Sequence, residues 1–254
     1  MMKVISYILS SIFIITFFSV LIIFHPLQWL GFNLFGYKGH KFIVDLMNLV
    51  LMRTTLLLGI HTKFINKYKL EKGQTYIFVA NHQSPFDIAP ISWYFRKYHP
   101  KFVSKKELAK GVPSVSFNLR HGGSVLIDRK NGGSALKDLL VFGKKINEKK
   151  WSAVIFPEGT RSRDGDPKTF SANGLKVLSK TNPEAFVVPI TINNSWHAFK
   201  DGKFPLGLFK TISFIAHEPI KVNSMKFDEL LEKTETTIKN HINQTANVKP
   251  IQKL

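Results

Sequence analysis

Tyr76-Ile77-Phe78-Val79-Ala80-Asn81-His82-Gln83-Ser84-Pro85-Phe86-Asp87 reads as a strand, a turn and the start of a helix. Residues 76–80 are aromatic and β-branched, which suits a short buried strand. Asn81 ends the run. Ser84 fits an N-cap, and Pro85 fits the first helical position, where a missing N–H costs nothing. Phe86, Ile88, Ile91, Trp93 and Phe95 then predict a helix with a broad apolar face. This places His82 on the loop past a strand end and Asp87 in the first helical turn. In α/β folds that is where ligands bind. Residues five apart on a regular helix point about 140° away from each other, so the pair meets only because a turn lies between them. A histidine titrates near neutral pH, and a carboxylate orients and stabilises its charged form, so His82 and Asp87 are a candidate general-base pair. A plainer reading stands beside it: Ser84-x-x-Asp87 has the form of a capping box, and His82 has that of a loop histidine.

Outward from this stretch, strands are predicted at 101–104, 123–128, 152–156, 185–191 and 211–216. Helices are predicted at 132–148 and 172–180. The alternation implies an α/β fold with a largely parallel central sheet flanked by helices. A last helix is expected over 225–245, with Ser224 as its N-cap and Phe227, Leu230, Leu231, Ile238 and Ile242 on one face. Val188-Pro189-Ile190 lies inside an apolar run, where proline implies an edge strand or a bend.

The N-terminus has a different character. Val4 to Phe24 carries no charge, and as a helix it would reach roughly 30 Å, the thickness of a bilayer core. Phe42 to Ile60 is also apolar but contains Asp45 and Arg53, which fits a helix lying in the interface or packed on the first. The expected division is therefore membrane-anchoring helices over 1–62, an α/β domain over 63–247 and a loose tail over 248–254.

Basic residues outnumber acidic ones by 36 to 17, a formal charge of +19. Lys38 and Lys41 sit between the apolar segments, and Lys63, Lys67, Lys69 and Lys72 follow them. That pattern predicts a cytoplasm-facing body (on the inner membrane, if the cell is bacterial) drawn to anionic head groups. Nucleic acid is a poor candidate partner, since no zinc-finger or RNA-recognition pattern is present. The chain has no cysteine, which excludes disulfide scaffolds, thiolate nucleophiles and cysteine-ligated metals. No His-Glu-x-x-His spacing occurs, and no metal site is expected.

Three cations fall at predicted strand ends: Lys105, Arg129 and Arg161. They can converge with His82 on one crevice and suggest a phosphate-bearing acceptor. Phe156-Pro157-Glu158-Gly159-Thr160-Arg161-Ser162 supplies a glycine for close backbone approach, an arginine for an anion and a carboxylate, Glu158, able to accept from a substrate hydroxyl.

Taken in order, His82-x-x-x-x-Asp87, Gly123-x-x-x-Ile127-x-Arg129, Phe156 to Ser162 and Val188-Pro189-Ile190 resemble the 1-acyl-sn-glycerol-3-phosphate acyltransferase family. The resemblance covers roughly 75 to 195, extends to Phe170 and Gly174, and departs mildly at Leu126. It implies acyl transfer from acyl-coenzyme A or an acyl carrier protein thioester to the sn-2 hydroxyl of a lysophosphatidate, giving phosphatidic acid without a bound cofactor. His82 would be general base and Asp87 its partner. Lys105, Arg129 and Arg161 would grip the phosphate, and Glu158, Gly159 and Thr160 would help position the acceptor. Glycerol 3-phosphate, a lysophospholipid or another lipid alcohol is the alternative acceptor. A serine hydrolase using Ser84 lacks the Gly-x-Ser-x-Gly elbow. A non-catalytic basic membrane module leaves the His/Asp spacing unexplained.

Overall fold

The computed structural model describes residues 2–242. Its centre is an eight-stranded sheet in the order β1-β7-β6-β2-β5-β3-β4, with β8 on β6. The strands are β1 (His61–Asn66), β2 (Tyr76–Ala80), β3 (Pro100–Lys105), β4 (Val125–Ile127), β5 (Ser152–Ile155), β6 (Phe186–Asn193), β7 (Thr211–Ala216) and β8 (Ile220–Lys221). Pairing is parallel except where β6 meets β7 and β8. The expected largely parallel α/β architecture is thus present.

Every residue of β2 is buried, as its unbroken apolar run demands of a strand covered on both faces. β6 differs from expectation. It is internal, and Pro189 pairs with Val79 of β2. Proline is tolerated there because β6 changes partners around it. Phe186 and Val187 pair with β8, Ile190 onward pairs with β7, and the Pro189 carbonyl accepts from His217 N–H at 2.9 Å.

α1 (Met2–Thr54) is one helix in name only. Gly36, at φ 59° and ψ −146°, breaks it into two arms. Gly31 and Gly39 face each other across the break, so closely that a Cβ on Gly39 would stand 2.4 Å from the Gly31 carbonyl oxygen. Leu21 and Phe24 then pack on Met47 and Leu51, which makes the segment a helical hairpin. The first arm is longer than the apolar run Val4–Phe24 predicts. It continues through Pro26, leaving the Ile22 carbonyl without its helical donor. The second segment ends earlier than Ile60. A 3₁₀ turn, Thr55–Leu58, leads into β1, two residues before the expected boundary at 63.

The first arm does not leave the body of the protein. Ser6 Oγ donates to the Leu206 carbonyl at 2.7 Å, and Leu206 N–H donates to Ser10 Oγ at 2.8 Å. Phe13 packs edge-on against Phe86, and Ser114 Oγ donates to the Leu21 carbonyl at 2.6 Å. The opposite face is apolar and bare, with Phe35 and Phe42 beside the break 72% and 67% exposed.

The remaining helices are α2 (Ile88–Tyr94), α3 (Val115–His121), α4 (Gly132–Lys149), α5 (Ala172–Thr181) and α6 (Phe227–Lys239). The helix expected from Pro85 is a 3₁₀ turn, Pro85–Asp87, followed by α2. α6 is capped at Lys226, not Ser224, whose hydroxyl turns back to the Lys221 carbonyl. The expected tail 248–254, and the end of the helix expected to 245, lie outside the described residues.

Candidate active site

β2, β5, β3 and β4 are adjacent and parallel, so their carboxyl ends share one edge of the sheet. His82 follows β2, the loop 156–162 follows β5, Lys105 ends β3 and Arg129 follows β4. The segments expected to converge therefore follow strands that end on the same edge of the sheet.

His82 Nδ1 lies 2.8 Å from Asp87 Oδ2. Asp87 is completely buried, whereas the His82 side chain is 18% exposed. Asp87 Oδ2 also accepts from the backbone N–H groups of Gln83 at 2.7 Å and Ser84 at 2.9 Å. Ser84 Oγ in turn accepts from Phe86 N–H at 3.1 Å, closing a capping box. The capping reading is thus borne out, and it does not compete with the expected base pair, because the cap fixes the carboxylate that faces the imidazole. With Nδ1–H donated to Asp87, Nε2 keeps its lone pair for a proton from outside.

The other oxygen, Asp87 Oδ1, accepts from Ser195 Oγ, which also bonds Ser84 Oγ. Gln83 Oε1 accepts from Ser195 N–H at 2.9 Å. Ser195 sits just past the end of β6 and is fully buried. Sequence reasoning did not single it out, since no local pattern ties it to Asp87. Ser84 is fully buried as well, and its hydroxyl is engaged within this network, with no bond to His82. That is a poor position for a hydrolase nucleophile.

The loop 156–162 wraps His82. Phe156 stacks on the imidazole with ring centroids 4.1 Å apart. Glu158 Oε1 accepts from His82 N–H at 2.7 Å, and the His82 carbonyl accepts from Ser162 N–H at 2.8 Å. Glu158 Oε2 accepts from Lys168 N–H at 2.9 Å. Both Glu158 oxygens therefore already serve the backbone, a brace where the sequence suggests a hand for substrate. Burial pushes its carboxyl above the usual carboxylate range, and the two N–H donors offset part of that.

Gly159 adopts φ 68° and turns the loop, and its carbonyl accepts from Arg129 Nη1. Arg129 is thus tied to the loop that holds His82. Thr160, Arg161 and Lys105 are exposed at the same sheet edge without contacts to the pair. Among the described residues, no cluster of His, Asp and Glu is arranged to hold a metal ion.

A family model described as Acyltransferase matches residues 61–193. The 1-acyl-sn-glycerol-3-phosphate acyltransferase of Helicobacter pylori is 32% identical over 127 residues, covering 47% of this chain and 51% of the relative. The enzyme of that name from Borreliella burgdorferi is 25% identical over 241 residues, covering 88% and 94%. The chain spans about half the length of several curated relatives it matches, 44% in the case of Limnanthes douglasii. The crystal structure of the 1-acyl-sn-glycerophosphate (LPA) acyltransferase PlsC from Thermotoga maritima superposes with a TM-score of 0.78 at 21% identity. It covers 97% of this chain and 100% of that one, a likeness of fold. The family model takes in just over half of the chain, including His82, Asp87, Arg129 and the loop 156–162, and this chain belongs to the acyltransferase family.

Proposed function

We propose that this chain moves a fatty acyl group from an acyl thioester, carried by coenzyme A or an acyl carrier protein, to the sn-2 hydroxyl of 1-acyl-sn-glycerol 3-phosphate, giving phosphatidic acid. The observation that carries the reading is the buried Asp87 carboxylate on His82 Nδ1, which leaves Nε2 open beside an edge that holds Lys105, Arg129 and Arg161. The relatives' names support the acceptor.

In this mechanism His82 Nε2 takes the hydroxyl proton as the oxygen attacks the thioester carbonyl, and Asp87 stabilises the imidazolium. The C–O bond forms, the C–S bond breaks, and the imidazolium returns its proton to the departing sulfur. Because the thiolate leaves readily, no acyl-enzyme and no bound cofactor is invoked. Arg129, Lys105 and Arg161 hold the acceptor phosphate. Gly159 and Thr160 shape its approach, with Glu158 acting by fixing the backbone of His82.

The α1 hairpin lies in one leaflet, its bare face among acyl chains and its inner face on the body. What supports this is the set of contacts that tie the first arm to the body from Ser6 to Leu21. Phe13, on Phe86, brings this arm beside the Asp87 turn, so a lipid acceptor reaches His82 from the side. The basic body faces the cytoplasm and anionic head groups.

The test is an assay of purified protein crossing acyl-coenzyme A and acyl carrier protein donors with lysophosphatidate, glycerol 3-phosphate and lysophosphatidylcholine. Turnover restricted to lysophosphatidate is expected. Turnover on another alcohol alone reassigns the acceptor, and hydrolysis without acceptor overturns the reaction class.

A further inference from the structure

Lys101, near the start of β3, is only 7% exposed, and its ammonium makes no hydrogen bond or ion pair. Its Nζ lies 4.7 Å from the ring centroids of both Tyr37 and Trp151. It lines a cavity between the second arm of α1 and the start of β3, about 13 Å along the strand from Lys105. The free space, about 30 Å³, holds about two ordered waters or a small anion and is far too little for an acyl chain.

The cavity wall is rich in unspent donors. Asn118 offers a side-chain amide with no partner, and His40, 1% exposed, has an unpartnered Nε2. His99 Nδ1 meets the Tyr37 hydroxyl at 2.7 Å, which leaves its Nε2 available. The one carboxylate in the wall, Asp45, is bonded through Oδ2 to Lys41 and acts on Lys101 only at longer range. The seam therefore holds two ammonium groups against one carboxylate, with the Lys101 ammonium in direct contact with rings alone, a balance that an anion would complete. Donors from β3, the turn before it and α3 surround the space from different directions, which suits a tetrahedral oxyanion better than a flat carboxylate.

We infer that this seam is a second oxyanion site, distinct from the His82 crevice, which takes a phosphate group on Lys101, His99 and Asn118. The group is either free phosphate or the head group of a lipid lying against α1. Burial, with Lys41 and Lys145 adding to it and Asp45 opposing it, draws the Lys101 ammonium down to about 7, so a further anion beside it would favour the charged form.

The full chain, in phosphatidylcholine nanodiscs with the Arg129→Ala change to weaken the proposed crevice site, is titrated with inorganic phosphate at constant ionic strength. Acetylation of Lys101 is followed by mass spectrometry. At a pH about one unit below its pKa, raising that pKa by one unit lowers the free-amine fraction and the labelling rate about ninefold, and a saturable slowing of about that size is expected. A second set of discs contains phosphatidate. Protection there without added phosphate assigns the head group, and protection by phosphate alone assigns the free ion. Lys101→Met should lose, and Lys101→Arg keep, a saturable rise in melting temperature with the same ligand. Unchanged labelling in both arms overturns the site and leaves Lys101 a cation held by two rings. So does a Lys101→Met protein that still responds. The labelling is read on a chain that retains Lys101, so it decides even if Lys101→Met does not fold.

Discussion

Ser195 lies 108 residues beyond Asp87 and donates to Oδ1, the carboxylate oxygen that His82 does not use. Removing it with Ser195→Ala leaves a buried charged acceptor short of a donor, which costs about 1.5–3 kcal/mol. Because Ser195 acts on the orientation of Asp87, kcat should fall about tenfold with KM for both substrates unchanged. Ser195→Thr, which keeps the hydroxyl, should recover part of the loss. Wild-type kcat in Ser195→Ala would show that Asp87 is held by its backbone donors alone.

His82→Ala should keep the fold, since the side chain is partly exposed, and lower acyl transfer by about 10²–10⁴. Asp87→Asn should lose most activity and some stability, because Asp87 Oδ2 receives two backbone donors as well as His82. Steady-state assays with circular dichroism separate the two effects. Substantial turnover by His82→Ala would sink the mechanism.

Glu158→Gln removes an acceptor from a pair of N–H donors, because an amide presents only one oxygen. Either His82 N–H or Lys168 N–H then faces an NH₂ group. Expected are a loss of about 1–3 kcal/mol in urea unfolding and a lower kcat at unchanged acceptor KM. A raised acceptor KM with normal kcat would instead place Glu158 on the substrate.

Arg129→Ala should chiefly raise KM for the phosphorylated acceptor. A smaller drop in kcat is expected to accompany it, since the Gly159 carbonyl loses its guanidinium. An acceptor lacking phosphate should show no added penalty.

Stability should fall as pH drops from about 6.5 to about 4. Burial, with His241 beside it, lowers His217 to about 4, and burial with Lys41 and Lys101 lowers His99 to about 4. Between those limits the unfolded chain binds more protons than the folded one, so acid favours unfolding by up to ~1.4 kcal/mol per pH unit for each such group. Above the unfolded value the contribution is complete. Urea melts across this range, repeated with His217→Gln, should show a shallower slope in the variant.

The strands at the sheet centre were legible because Tyr76–Ala80 and Phe186–Thr191 are buried on both faces and carry unbroken apolar runs. β1 was not. It is an edge strand whose His61, Lys63 and Asn66 point to solvent, so its sequence looks like linker. The break at Gly36 was hidden between two apolar runs, since a helix that is apolar on its bare face offers no polar stripe to mark a turn. Lys101 reads as a surface residue, and only the rings of Tyr37 and Trp151 explain its burial. In the site, His82 and Asp87 were visible because they are close in sequence. Ser195 was not, because its partner is fixed by sheet order alone.

One loop holds His82 by its ring, its N–H and its carbonyl, and the same loop is tied through Gly159 to Arg129. With the proposed roles of Arg129 and His82, acceptor preference and proton transfer are expected to change together. A graft of residues 156–162 from a relative with a different acceptor would import that relative's histidine posture along with its selectivity. Chimeras should gain new acceptors only when Arg129 and the residues around His82 travel with the loop.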